Sequence, residues 1–252
     1  MTTLRASVAV LALAVCAGAF GAKRADAQQA DVALVYRLLQ GGDMRVIRPP
    51  QPEPGTQAHV GDRLRNLDKV TTSGSTRAAL RFTDDGSILR LNPNSSVVLT
   101  SGNENGVVVR TLRLEAGELW TRVNRHQGIT LRVNTPAGVA AVKGTEFVVR
   151  VDHDGTTTVI TLEGVVEFFN QGGRVDVPAG TKVTAADSSS APRAQPATPQ
   201  ELQQAQGARG DEGGSVQGTW IEVRLRDANG QTRTLMLQVP ADAVRNVLEG
   251  RP

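Results

Sequence analysis

The chain has 252 residues, 39% hydrophobic and 21% charged, a balance that excludes a wholly disordered chain. One cysteine and three histidines (His59, His126 and His153) exclude a disulfide framework and a cysteine zinc site, and leave little for metal chemistry. The formal charge of +3 becomes +1 once Arg5, Lys23, Arg24 and Asp26 are removed with the N-terminal segment, so neither a nucleic acid nor a membrane surface is an expected partner.

Residues 1–27 read as a secretory signal peptide. Arg5 starts it, residues 6–22 are an uncharged apolar run, and Ala25-Asp26-Ala27 is an A-x-A cleavage site before Gln28. Cys16 follows Val15 rather than a small residue, which argues against a lipid anchor. Cleavage removes the cysteine and leaves no stable membrane span. The expected location is therefore the periplasm or the cell exterior, where free thiols are a liability. Residues 28–59 carry N-terminal strands and a Pro-rich loop, PPQPEPGTQA at 49–58.

From 60 to 185 the sequence predicts strand after strand. Ala78, Leu80 and Phe82 alternate with Ala79 and Arg81. Leu89 and Leu91 flank Arg90, Leu112 and Leu114 flank Arg113, and Ile129, Leu131 and Val133 flank Thr130 and Arg132. This period of two marks strands with one face buried and one wet. Asp85-Gly86, Asn105-Gly106, Asp154-Gly155 and Gly172-Gly173 supply tight turns. A strand–glycine–strand unit recurs around Gly117, Gly164 and Gly180, as stacked coils of a solenoid or a meandering sandwich would have it. Residues 186–215 hold one large apolar residue, Leu202, and read as a disordered linker. Residues 216–252 then give a hairpin, with Ile221, Val223 and Leu225 opposite Leu235, Leu237 and Val239 across Asn229-Gly230, and a short helix. A lone hairpin needs a surface to dock on.

The densest motif is NTPAGVAAVKGTEFVVRV at 134–151, followed by LEGVVEF and VPAGTKV. Thr135, Pro136 and Gly138 form a turn, Gly144 breaks the strand where backbones approach, Thr145 follows it, and Phe147 fills the core side of the next strand. With the upstream run VGDRLRNLDKVTTSGSTRAALRFTDDGSILRLNPNSSVVL, this resembles the FecR domain of bacterial envelope proteins over roughly 60–185. The resemblance implies an all-β domain with a recognition role and no known active site. It makes Thr135, Pro136, Gly138, Gly144, Thr145, Phe147, Gly164 and Gly180 structural signature positions. FecR-type sigma-factor regulators place a cytoplasmic helical domain and a membrane helix before this domain, and the 27-residue leader expected here leaves that circuit out of the expectation.

Enzyme chemistry finds little support. Asp152-x-Asp154-Gly155 lacks the rest of a calcium loop and reads as a hairpin turn. Glu115 with Glu118, and Glu163 with Glu167, read as solvated strand positions rather than glycosidase pairs. No G-x-S-x-G elbow occurs. The expectation is an all-β protein, a FecR-like β-sandwich or β-solenoid-like domain, without catalysis, cofactor or metal. Its partner is an envelope protein, or alternatively an anionic glycan. Trp120, Arg122 and Arg132 are the candidate recognition residues. With Arg81, Arg90 and Arg113, they fall at outward positions where an exposed aromatic and guanidinium groups suit carboxylates. The same reasoning has the C-terminal hairpin dock through its Trp220 face.

Overall fold

The computed structural model describes residues 31–39, 42–126, 128–210, 218–226 and 231–240. The expected signal peptide, the Asn229-Gly230 turn, the helix after Pro240 and the side chain of Trp220 lie outside the described residues. The strands are β1 (Asp31–Leu39), β2 (Met44–Ile47), β3 (Thr56–Gln57), β4 (Arg63–Arg65), β5 (Lys69–Thr72), β6 (Arg77–Phe82), β7 (Ile88–Leu91), β8 (Ser96–Glu104), β9 (Val107–Arg122) and β10 (Ile129–Thr135). They continue with β11 (Gly138–Val142), β12 (Glu146–Val151), β13 (Thr157–Glu163), β14 (Val165–Asn170), β15 (Gly173–Pro178), β16 (Thr181–Ala185) and β17 (Ala194–Pro196). Helix α1 (Pro199–Ala208) follows, then β18 (Gly218–Arg226) and β19 (Thr232–Pro240).

The strands up to β17 form two packed sheets. Sheet A runs β4-β1-β6-β7-β9-β12-β13-β16-β17. Sheet B runs β3-β2-β5-β8-β9-β10-β11-β14-β15, with β9 and β10 parallel and every other pairing antiparallel. Strand β9 belongs to both. Its first half pairs with β8 and β10 in sheet B, and its second half with β7 and β12 in sheet A. The molecule is therefore a β-sandwich, continuous through one shared strand.

The alternating residues meet between the sheets as expected. Leu80, Leu91, Leu119, Phe147 and Val149 from sheet A pack against Leu99, Leu112, Leu131, Val133 and Phe168 from sheet B in one core. Burial of these side chains is the main favourable term, on the order of 1.5–3 kcal/mol for each large one.

The recurring glycine unit is a corner between sheets rather than a solenoid coil. Hairpin β10–β11 lies in sheet B, β12–β13 in sheet A, β14–β15 in sheet B and β16–β17 in sheet A. The chain changes sheet at Gly144 (φ 91°), Gly164 (φ 82°) and Gly180 (φ 78°), and β9 changes sheet at Gly117 (φ 89°). Left-handed backbone of this kind strains any residue with a Cβ. At Gly144 a Cβ would also meet Arg125 Cβ at 2.7 Å and Arg125 Cα at 2.9 Å. Gly144→Ala should therefore cost about 1–3 kcal/mol by denaturant unfolding. Gly180→Ala should cost less, since a Cβ there meets nothing within 4 Å.

Two expectations need correction. The outer face of sheet A is not wet, and residues 186–215 are not a linker throughout. After β16, Asp187 gathers the serine loop: its Oδ1 accepts from the backbone amides of Ser189 and Ser190 at 2.7 Å. Strand β17 then pairs on the edge of β16, and α1 crosses back over sheet A. Its start is encoded locally. Thr198 is the N-cap, Pro199 opens the first turn, Thr198 Oγ1 accepts from the Glu201 amide at 3.3 Å, and Glu201 Oε2 accepts from the Thr198 amide at 2.9 Å. A low-hydrophobicity segment orders here because Ala205 and Ala208 bury against Trp120, Val148 and Ile160. Beyond it, hairpin β18–β19 docks on the same face through Ile221, Val223 and Leu225 against Leu34 and Tyr36. Among the described residues of β18 these carry the contact, while Glu222 and Arg224 on the other parity are exposed.

Candidate recognition site

Across the outer face of sheet A, register places Arg90 beside Trp120, and Trp120 beside Val148. One step along, Arg81 lies beside Ile88, Ile88 beside Arg122, and Arg122 beside Glu146. Trp120 is fully buried, which corrects its reading as an exposed aromatic. Two cations lie over its indole, the Arg90 and Arg122 guanidinium carbons standing 5.2 and 5.5 Å from the ring centroid. Its Nε1 donates to Glu146 Oε1 at 3.2 Å. Glu146 Oε2 accepts from Arg122 Nε at 3.1 Å and Nη2 at 2.9 Å, and from Arg209 Nη2, at the C-cap of α1, at 3.1 Å. One buried carboxylate thus ties together the aromatic, the sheet and the helix.

Arg132 is elsewhere. It lies on the outer face of sheet B and pairs with Glu104 at 3.3 Å, so Arg122 and Arg132 do not share a surface. Arg113, also on sheet B, pairs with Glu115 at 3.2 Å. Arg81 and Arg90 do share the Trp120 face, with Arg81 5.8 Å from the Tyr36 ring centroid. Because Arg122 is bound to Glu146, its replacement disturbs a buried carboxylate rather than trimming a free surface cation.

The signature residues build the scaffold. Thr135 Oγ1 accepts from the Gly138 amide at 3.2 Å and donates to the Gly138 carbonyl at 2.8 Å, closing the turn at Pro136. Gly138 is required because a Cβ would stand 2.6 Å from Phe168 Cζ. Thr145 Oγ1 donates to the Val165 carbonyl at 3.2 Å, joining two corners, and Phe147 is fully buried. At Asp152–Thr156 the chain makes the β12–β13 hairpin turn, closed by Thr156 N to Asp154 Oδ1 at 2.9 Å.

Sequence reasoning missed three features. The first is α1 itself, although Thr198-Pro199-Gln200-Glu201 is a capping-box signal. The second is Glu146 as the hub. The third is a cleft of about 370 Å³ beside the Gly117 corner, lined by Arg77, Asn92, Glu118, Arg150 and His153 among others. Both its carboxylates are engaged, since Glu118 Oε1 accepts from Asn92 Nδ2 and Asp152 pairs with Arg150 at 3.4 Å.

The helix is held at its other end by Lys182, paired with Glu201. The Lys182 ammonium, and after it the Thr198 backbone amide, hold the Glu201 carboxyl down at about 2. A depressed folded-state pKa gives stability present above the ordinary value of 4.5 and lost as pH falls toward 2. Amides of α1 should therefore lose hydrogen-exchange protection across that window, and Glu201→Gln should flatten the dependence.

A model of the family described as FecR protein matches residues 68–167, from β5 through the first half of β14. The chain carries a FecR-like domain over these residues. The match takes in the turn at Thr135, the Gly144 and Gly164 corners and Phe147, but ends before Gly180, β16 and α1. Two crystal structures of a candidate anti-sigma factor from Parabacteroides distasonis ATCC 8503 are similar to this chain at 17% and 18% identity. Each match covers 54% of this chain, with TM-scores of 0.46 and 0.45. The chain spans 63% and 62% of the length of those two chains. Among curated proteins none matches.

Proposed function

We propose that this chain is a FecR-domain protein that is exported to the bacterial envelope and acts there without catalysis, binding a protein partner in a sensing or scaffolding role. The observation that supports this reading is the outer face of sheet B. Two registered rows cross it: Thr100, Thr111, Arg132, Ala141 and Glu167, and beside them Val98, Arg113, Asn134, Val139 and Phe169. The cations are each matched by a carboxylate: Arg113 by Glu115, Arg132 by Glu104 and Arg174 by Glu167. Between and beside them stand the partly exposed Val98, Val139 and Phe169, and Val165 at 50% exposure. A charge-balanced face with partly exposed apolar residues beside matched ion pairs suits a protein surface. An anionic glycan calls for cations left uncompensated, and this face offers few.

Capture of envelope proteins by wild-type chain, beside a glycan array, tests the reading. Val165→Glu should reduce capture of a defined protein at least tenfold while leaving the unfolding midpoint unchanged, and capture should change little between low and high salt. Saturable, steeply salt-sensitive binding to acidic glycans with no protein captured would put the glycan module in its place.

A further inference from the structure

Helix α1 covers the best-formed recognition chemistry in the molecule, and it does so lightly. Its apolar contact is two alanines and the half-buried Leu202. At ten residues it is too short to persist away from the sheet. Its remaining ties are polar and lie at its two ends, Lys182 with Glu201 and Glu146 with Arg209. Arg209 Nε is buried without a hydrogen-bond partner among the described residues, so even this latch is incompletely satisfied.

What lies beneath is also held by contacts within the sheet. Without Arg209, Glu146 still accepts from Trp120 and from Arg122 through two nitrogens, and both arginines still flank the indole. Beneath the helix lies an aromatic floor, Trp120, with the Glu146 carboxylate at one end and the Lys182 ammonium at the other. Such a groove selects a helix by small residues one turn apart that let it lie close, an acid near its start and a base just past its end.

We propose that α1 is an intrachain occupant of a helix-docking groove, which a partner's helix with the same acid–small–small–basic pattern takes over by displacing it. This second surface rests on the protein-binding reading but not on sheet B, and its test uses no envelope extract, so the two fail separately.

The first measurement is native-state hydrogen exchange on the whole, unaltered chain. Amides of residues 203–208 should exchange through local openings at least 100-fold faster than those of Trp120 and Val148, with little denaturant dependence. Exchange of helix and strands together, with one denaturant slope, would overturn the proposal. The second uses a labelled peptide of residues 194–210 added to the full chain carrying Ala205→Glu and Ala208→Glu. Saturable binding is expected, at least tenfold weaker when the peptide carries Arg209→Ala. No binding, or binding indifferent to Arg209, would count against the groove. So would loss of cooperative unfolding in the double variant, since a segment the sandwich cannot fold without is not an exchangeable occupant.

Discussion

Arg110→Ala should lower stability by about 3–5 kcal/mol at neutral pH, measured by denaturant unfolding. Arg110 shares the inward parity of Leu112 and Leu114 on β9, and its guanidinium is almost fully buried. There its carbon lies 4.4 Å from the Phe82 ring centroid, and it pairs with Asp84 and with Asp85, the latter at 2.8 Å. The pairing ties the β6–β7 turn of sheet A to a strand of sheet B. Alanine would remove the only cation described beside two buried carboxylates and leave their charge unmatched in a poorly polarisable interior. The magnitude comes from that orphaning rather than from the strength of the pair. A second variant separates the two. Asp85→Asn keeps an oxygen for the Ser87 amide, which donates to Asp85 Oδ1 at 2.8 Å, and it removes one of the stranded charges. Arg110→Met with Asp85→Asn should therefore lose less than the sum of the single losses. Strict additivity would mean that the three groups do not act as a unit.

Phe147→Ala should cost a comparable 3–5 kcal/mol, roughly the range for deleting a fully buried aromatic ring. Phe147 is fully buried in the core three residues after the Gly144 corner, with Thr121 beside it on β9 and Thr161 on β13. Its ring faces the opposite sheet, so the cavity left behind would be shared by both layers and could not close by movement of one strand. Phe147→Leu, which refills most of the volume, should recover more than half of the loss. An unchanged unfolding midpoint for Phe147→Ala would place the ring outside the core and contradict the β12 register.

The strands were legible because one face of each is apolar. Leu80, Leu89, Leu91, Leu131 and Val133 all reach the core their alternation assigns them. The corners were legible as glycines but not as corners. A hairpin and a change of sheet both call for positive φ, and only the pairing partners on either side distinguish them. Trp120 illustrates a different limit. Its parity correctly places it on the outer face, but what covers that face is a polar segment about 80 residues onward that contributes two alanines and a half-buried leucine. Composition makes such a segment look unfoldable, and its order comes from a cap and a waiting surface. Arg110 carried a readable signal, a charge at an inward position between Val108 and Leu112, which sets it apart from the arginines at Arg90, Arg113 and Arg132. Arg122 and Arg132 read as neighbours only on the supposition that strands pair in chain order within one sheet, and the crossing of β9 breaks it.

The shared strand also sets the order in which the sandwich can grow and come apart. Counting outward from β9, sheet B adds β10–β11 and then β14–β15, while sheet A adds β12–β13 and then β16–β17. Position along the chain is therefore lateral distance from a central seam, with hairpins laid alternately on the two layers like courses of brick. A chain lengthening from its N-terminus finds the edge on which each new hairpin pairs already made, so in this half of the fold each hairpin adds to strands that precede it. Tension applied at the C-terminal side runs through the same order backwards. It loads the β18–β19 hairpin and α1 first, then β17 and β16, then β15 and β14, and meets the seam last, so the domain should yield to pulling in graded steps while its middle stays intact.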